Sequence, residues 1–138
     1  MQSTTEELHL EGRVSFTEAV VQEKLPLFYS AADVCVIPSY YESFGMVALE
    51  SLACGTPVVA TDVGDMKNII RHSEAGHVIE VNSSSELADK ISRLLYHEKD
   101  NVPNAELRRS IAIDYSWSNI ADMVLSEYKK VLLNLVLL

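Results

Sequence analysis

Short apolar runs that alternate with helical patterns are the feature that most constrains the fold of this chain. The runs predict strands over residues 10–16, 33–38, 57–61 and 76–81. The middle two are continuous and rich in Val and Ile, which is typical of strands buried on both faces of a parallel sheet. Helical spacing predicts helices over residues 23–32, 45–54, 65–71, 84–97, 104–114 and 116–135. Strands that alternate with helices indicate βαβ units, so we expect an open α/β sheet of the doubly wound kind.

Two of the predicted helices have clear start signals. Ser83 and Glu86 predict a capping box for the helix over residues 84–97, and Ser116 predicts an N-cap for the last helix. Apolar residues recur at helical spacing in both, namely Leu87, Ile91, Leu94 and Leu95 in the first and Ile120, Met123, Val124, Tyr128 and Val131 in the last. Trp117 is expected in the core.

Composition and charge narrow the class of protein. The 138 residues fit one domain, and the net charge of −9 argues against nucleic acid as a partner. The first residues are polar and acidic, unlike a signal peptide, so we expect a cytoplasmic location. Cys35 and Cys54 lie in apolar segments and are expected to be buried hydrophobes, with no disulfide between them.

Both ends of the chain look like cut edges. The first predicted strand follows only about nine polar residues, and the tail after Lys130 is almost wholly apolar. Exposed leucines at a terminus usually need a partner surface. We therefore expect a fragment of a longer protein, and self-association through the apolar C-terminal tail is kept open.

The loop over residues 38–45 is the strongest candidate for a binding site. It follows a predicted strand, and ligands of open α/β sheets bind at the carboxyl ends of the strands. Gly45 removes a side chain where the backbone must approach a ligand closely. The N–H groups of Phe44, Gly45, Met46 and Val47 belong to a helix start, where they have no intrahelical partner and can donate to hydroxyls or to a diphosphate.

Two carboxylates flank that helix start. Glu42 lies in the loop and Glu50 about one turn into the helix, and ionised carboxylates accept hydrogen bonds from vicinal hydroxyls. Glu50 can take a ribose diol, and Glu42 can reach a sugar. On spacing alone, both can equally be solvated surface acids. Tyr40 and Tyr41 either border the ligand or pack in the loop.

A family resemblance decides between these interpretations. The segments SAADVCVIPS at residues 30–39, ESFGM at residues 42–46 and LESLACGTPVVATDVG at residues 49–64 closely resemble the glycosyl transferases group 1 family. Weaker likeness extends from LEGRV at residues 10–14 to the Ser116-Trp117 pair. The family comprises retaining glycosyltransferases of the GT-B architecture, so the resemblance implies the Rossmann-like, nucleotide-sugar-binding C-terminal domain of such an enzyme.

The resemblance also implies roles for single residues. The family's paired glutamates, with seven residues between them, fall on Glu42 and Glu50. Glu50 then binds the nucleotide ribose, and Glu42 is the catalytic-site acid that faces the donor sugar. The backbone groups expected at the donor sugar and the diphosphate are those of Ser43, Phe44, Gly45, Met46 and Val47. The implied reaction is metal-independent, needs no cofactor, and transfers a hexose from a nucleoside diphosphate sugar with retention.

The departures from the family pattern matter as well. The basic Arg and Lys that clamp the phosphates in the family have no candidate here, because Arg13 lies in a predicted strand and Lys24 in a predicted helix. The loop GDMKN at residues 64–68 lacks the Gly-Gly and following Glu that the family often has. Residues 1–138 are thus expected to be a single domain truncated at its N-terminal edge, without the acceptor-binding domain. We expect this chain to be inactive alone and to bind the donor weakly.

Other classes of function remain as alternatives. A sugar-nucleotide epimerase of the same architecture is one, and a non-catalytic association module is another. His9, His72, His77 and His97 are scattered, so we expect no metal site. Peripheral membrane association of the parent protein is kept open as a further partner.

Overall fold

A three-stranded parallel sheet forms the centre of the computed structural model, which describes residues 2–81, 83–97 and 105–136. The strands, in their order across the sheet, are β1 (Cys35–Ile37), β2 (Val58–Thr61) and β3 (Gly76–Ile79). Val36 pairs with Val59, which pairs in turn with His77, in parallel register. The predicted open parallel sheet and three of the four predicted strands are confirmed.

Helices flank the sheet. The α-helices of the described residues are α1 (Gln2–Glu7), α2 (Leu25–Ala31), α3 (Met46–Ala53), α4 (Met66–Ile69), α5 (Ser84–Ser92), α6 (Ala105–Asp114) and α7 (Trp117–Val136). Short 3-10 turns at Gln22–Lys24 and Ser73–Ala75 precede α2 and β3, and a π-helical turn at Arg93–His97 extends α5. The predicted helices are present, although residue 104, where the sixth was expected to begin, lies outside the described residues. Helix α1 was not predicted, because its segment is polar throughout.

Strand β2 is buried on both faces because its alternate side chains enter two different apolar clusters. Val58 packs in one cluster with Leu52 of α3 and Ile111 of α6. Val59 packs in the other with Leu94, which follows α5. Burying one such side chain stabilises the fold by about 1.5–3 kcal/mol. Helices therefore cover both faces of the sheet, as the continuous Val-rich run predicted.

The predicted strand over residues 10–16 is wrong. The N–H of Arg13 donates to the carbonyl oxygen of Leu10 at 3.0 Å, and Gly12 has a φ of +74°, so the chain turns here. Phe16 is 47% exposed. A strand needs a neighbour to satisfy its backbone groups. Within the described residues no strand pairs with this segment.

Of the two predicted helix caps, one is correct. The hydroxyl of Ser116 accepts the N–H of Asn119 at 3.4 Å, which confirms the N-cap of α7. The capping box is wrong, because the Ser83 side chain makes no cap hydrogen bond. The carboxylate of Glu86 instead accepts the N–H of Glu80 at 3.2 Å and ties the end of β3 to α5.

Helix α7 presents an apolar face to solvent. Its exposed apolar groove is lined chiefly by Met123, Val124, Tyr128 and Val131. The expectation that Trp117 is a core residue is wrong, because its side chain is 89% exposed at the first position of the helix. Residues 137–138 of the apolar tail lie outside the described residues. No described helix is long and apolar enough to span a bilayer.

Candidate functional site

The loops that follow β1 and β2 meet at the carboxyl edge of the sheet, where the sequence placed the site. Thr61, at the end of β2, donates its hydroxyl hydrogen to the carbonyl oxygen of Ser39 in the first loop. Gly64, in the second loop, has a φ of +59°, and a Cβ there would lie 2.7 Å from the carbonyl oxygen of Glu42. The loop that carries Glu42 therefore rests directly on the loop after β2.

Glu42 is held by its own loop. The hydroxyl of Ser39 donates to Oε1 of Glu42 at 3.1 Å, and the residue is half-buried. Within the described residues, its Oε2 accepts no hydrogen bond. One carboxylate oxygen is thus oriented by the protein, and the other remains available to a ligand.

The start of α3 offers a row of unused backbone donors. Within the described part of the chain, the N–H groups of residues 43–47 donate no hydrogen bond. Gly45 precedes the helix with a φ of +110°, and a Cβ there would lie 2.9 Å from Met66 and 3.2 Å from Ile69. The glycine is therefore required by the backbone turn and by core side chains. The prediction that it makes room for a ligand is not needed to explain it.

The ring of Phe44 anchors this helix start from one side. It packs edge-on against Tyr115, with ring centroids 5.8 Å apart and an interplanar angle of 66°. Burial raises the pKa of Tyr115, so the phenol stays neutral at physiological pH. The contact links the loop after β1 to the segment between α6 and α7.

Glu50 lies on another side of α3, against α2. The hydroxyl of Tyr29 donates to Oε2 of Glu50 at 2.9 Å. Burial, and then the hydrogen bond and negative charge of Glu50, raise the pKa of Tyr29 well above its ordinary value. The two residues line a cavity of about 190 Å³ together with Gln22, Leu25, Pro26, Ala53 and Cys54. Glu42, before α3, and Glu50, within it, are thus each held by a different neighbour.

The far end of α3 is fixed by a side chain that the sequence analysis missed. Arg108 of α6 is 3% exposed and donates to the carbonyl oxygens of Gly55 at 2.8 Å and Glu74 at 2.7 Å. Burial lowers the pKa of Arg108, and the charge of Glu74 opposes that shift. A cation at a helix C-terminus satisfies carbonyls that have no intrahelical partner. No local sequence signal marks this arginine, because its partners are distant in sequence.

The structure also bears on the predictions for the two loop tyrosines, the two cysteines and a metal site. Tyr40 and Tyr41 are 76% and 81% exposed, so packing within the loop is wrong for both, and bordering a ligand stays open. Cys35 and Cys54 are half-buried free thiols. Among the residues that the structure describes, no three His, Cys, Asp or Glu side chains form a group that could hold a metal ion.

Solved structures of other proteins share this fold. A sucrose-phosphate synthase of Thermosynechococcus elongatus matches with a TM-score of 0.82 and 34% identity, over 96% of this chain and 34% of that chain. The Anabaena protein HepE, solved in complex with UDP-glucose, matches with a TM-score of 0.76 and 26% identity, over 91% of this chain and 35% of that chain. The parallel sheet with its helices therefore has the fold of a domain found in glycosyltransferases of the GT-B class.

Sequence comparison identifies the family. The family model described as glycosyl transferases group 1 matches residues 1–111, and the chain belongs to that family. A D-inositol 3-phosphate glycosyltransferase of Mycobacteroides abscessus is 37% identical over 128 residues, which are 93% of this chain. The chain spans only 28% of the length of that relative. The resemblance read from the central motif is confirmed.

Proposed function

We propose that this chain is the donor-binding part of a retaining hexosyltransferase and binds a nucleoside diphosphate sugar at the start of α3. One observation carries the proposal: within the described residues the N–H groups of residues 43–47 donate no hydrogen bond, and Glu42 and Glu50, before and after them in sequence, each have a carboxylate oxygen that accepts none. Donors for an anion and acceptors for hydroxyls are the two kinds of group that a nucleotide sugar requires.

The helix start suits the diphosphate. Backbone N–H groups and the helix dipole together favour negative charge at this end of α3, and the contacts would strengthen as the diphosphate leaves. Lys67 forms an ion pair with Asp62 in the loop after β2. We expect phosphate binding to rely on the backbone of Met46 and Val47, and the affinity to be weak.

The two carboxylates suit the two sugars of the donor. Glu50 would accept the ribose hydroxyls, and Glu42 would act as the catalytic-site acid facing the transferred hexose, with the backbone of Ser43, Phe44 and Gly45 beside it. The loop after β2 packs against the loop that carries Glu42, because Gly64 has no side chain and lets the two loops touch. The groups proposed to act are all side-chain or backbone atoms of this chain, and no metal or cofactor takes part.

The acceptor would be bound by the rest of the parent protein. The relatives that share this piece have names that describe different reactions, a D-inositol 3-phosphate glycosyltransferase and a sucrose-phosphate synthase. That difference supports a donor role for the shared part, and the complex of HepE with UDP-glucose supports a donor of this chemistry. The chain alone would be inactive, because catalysis needs both domains to close around the donor.

Calorimetry of the chain with UDP-glucose, GDP-mannose and ADP-glucose tests the proposal. We expect weak binding of at least one donor, and Glu50→Gln is expected to lower that affinity by at least about 10-fold, because hydrogen bonds to charged groups contribute about 1.5–3 kcal/mol. The matched control is Glu106→Gln, an exposed glutamate of α6, which should bind like the wild type. Absence of binding to all three donors, or equal binding by Glu50→Gln, would contradict the proposal.

One structural observation supports an alternative function. The exposed apolar face of α7 is compatible with an association module, through a second copy or through another part of the parent protein. An epimerase has no such support, because the family assignment favours transfer. The cytoplasmic location and peripheral membrane association stay predictions.

A further inference from the structure

The hydroxyl of a tyrosine in α2 forms a hydrogen bond with the carboxylate that we propose to bind the ribose. The hydroxyl of Tyr29 lies 2.9 Å from Oε2 of Glu50, across 21 residues of sequence. Within the described residues, Oε1 of Glu50 accepts no hydrogen bond. One oxygen of the carboxylate is therefore held by the protein, and the other is available to a ligand.

The backbone of this tyrosine is itself held in place by hydrogen bonds. The hydroxyl of Thr56 donates to the carbonyl oxygen of Tyr29 at 2.6 Å, and the hydroxyl of Ser51 donates to the carbonyl oxygen of Thr56 at 3.1 Å. Thr56 is 4% exposed and Ser51 is fully buried. This relay ties the backbone of Tyr29 to the same helix that carries Glu50, so the two side chains keep their relative position.

The phenol is the donor in its hydrogen bond with the carboxylate of Glu50. Burial and the neighbouring carboxylate raise the pKa of Tyr29, so its proton is retained at physiological pH. Glu50 must then present its acceptor lone pairs to Tyr29 through Oε2, and the torsional freedom of a long acidic side chain is reduced before any ligand arrives. Restricting a binding group beforehand improves affinity, because less conformational entropy is lost on binding.

We propose that Tyr29 is a positioning residue that holds the Glu50 carboxylate so that its free oxygen accepts the ribose hydroxyls of the donor. The inference rests on the proposed function, since it assigns a partner to the same site. Tyr29 does not touch the nucleotide, and its effect depends on hydroxyls that Glu50 can accept. A tyrosine that merely supports the fold would affect all ligands alike.

The test compares UDP with 2′,3′-dideoxy-UDP, which lacks the hydroxyls, on the complete chain by ligand-observed NMR titration. Tyr29→Phe keeps the ring and removes the donor, and Tyr96→Phe, 77% exposed, is the matched control. We expect Tyr29→Phe to weaken UDP binding about 3- to 10-fold, the size of one hydrogen bond, and to leave the dideoxy analogue unchanged. Adding Tyr29→Phe to Glu50→Gln should have little further effect, because both act through one group.

The other possible outcomes contradict either the positioning role of Tyr29 or the proposed function. If Tyr29→Phe binds UDP like the wild type while Glu50→Gln does not, the positioning role is wrong and the proposed function stands. Equal weakening of UDP and its dideoxy analogue would make Tyr29 a structural residue only. If the wild-type chain binds neither nucleotide, the inference fails for a uridine donor, and the proposed function fails with it only where calorimetry also shows no binding of GDP-mannose and ADP-glucose.

Discussion

Gly76→Ala is expected to lower the free energy of unfolding of the chain more than any other substitution proposed for it. Gly76 opens β3 with a φ of +130° and a ψ of −148°, a backbone conformation that is essentially restricted to glycine. A Cβ at this position would lie 1.8 Å from the carbonyl oxygen of Val58 in the neighbouring strand. The backbone of the central strand β2 cannot yield without loss of its pairing. We expect a cost above about 4 kcal/mol, against a total stability of about 5–15 kcal/mol that is typical of a domain.

Gly12→Ala is the matched control for that substitution. Gly12 also has a positive φ, of +74°, but a Cβ there would meet no atom within 4 Å. Only the left-handed backbone is then penalised, by about 1–2 kcal/mol. Urea unfolding followed by circular dichroism separates the two variants. A Gly76→Ala midpoint equal to that of Gly12→Ala would contradict the close approach of β3 to β2.

Arg108→Met is expected to lower the free energy of unfolding by about 3 kcal/mol, since it removes two hydrogen bonds from a buried, charged donor. The side chain joins α6 both to the end of α3 and to the turn before β3, through Gly55 and Glu74. Methionine retains much of the apolar stem, so the loss reports mainly on the guanidinium. Chemical unfolding of the purified chain measures it.

The neighbouring arginine provides the comparison. Arg109 is exposed, and its single bond to the carbonyl oxygen of Cys54 is 3.4 Å long, so Arg109→Met should change stability by less than about 0.5 kcal/mol. Arg108→Lys should fall between the two, because one ammonium cannot match the fork of a guanidinium. Equal effects of Arg108→Met and Arg109→Met would show that the α3 end is not anchored as the structure indicates.

Much of the fold could be predicted because its determinants are local. Continuous burial of Val58 and Val59 on opposite faces follows from a run of apolar residues, and the helical repeat around Leu94 indicates the face of α5 that packs on it. The meeting of the loops after β1 and β2 was predictable for the same reason, since loops after parallel strands share one edge. The glutamate roles came from the family resemblance, because spacing alone left them open.

The rest depends on contacts that are distant in sequence. The Tyr29–Glu50 bond spans 21 residues, and the Arg108–Gly55 bond spans 53. No local pattern marks such pairs. The mistaken strand over residues 10–16 has a related cause, because an apolar pattern becomes a strand only where a partner edge is available. The prediction that Trp117 is buried failed for a different reason, because hydrophobicity alone does not decide whether a side chain is buried.

Chemical-shift mapping of UDP-glucose on the ¹⁵N-labelled chain tests the central claim most directly. We expect the largest amide shifts on residues 43–47 and on Glu42 and Glu50, at the carboxyl edge of the sheet. A second cavity, of about 470 Å³, lies at the amino edge and is lined in part by Asp33, Pro57 and Arg109. Largest shifts around that second cavity, or no shifts at the start of α3, would contradict the claim that this helix start binds the donor.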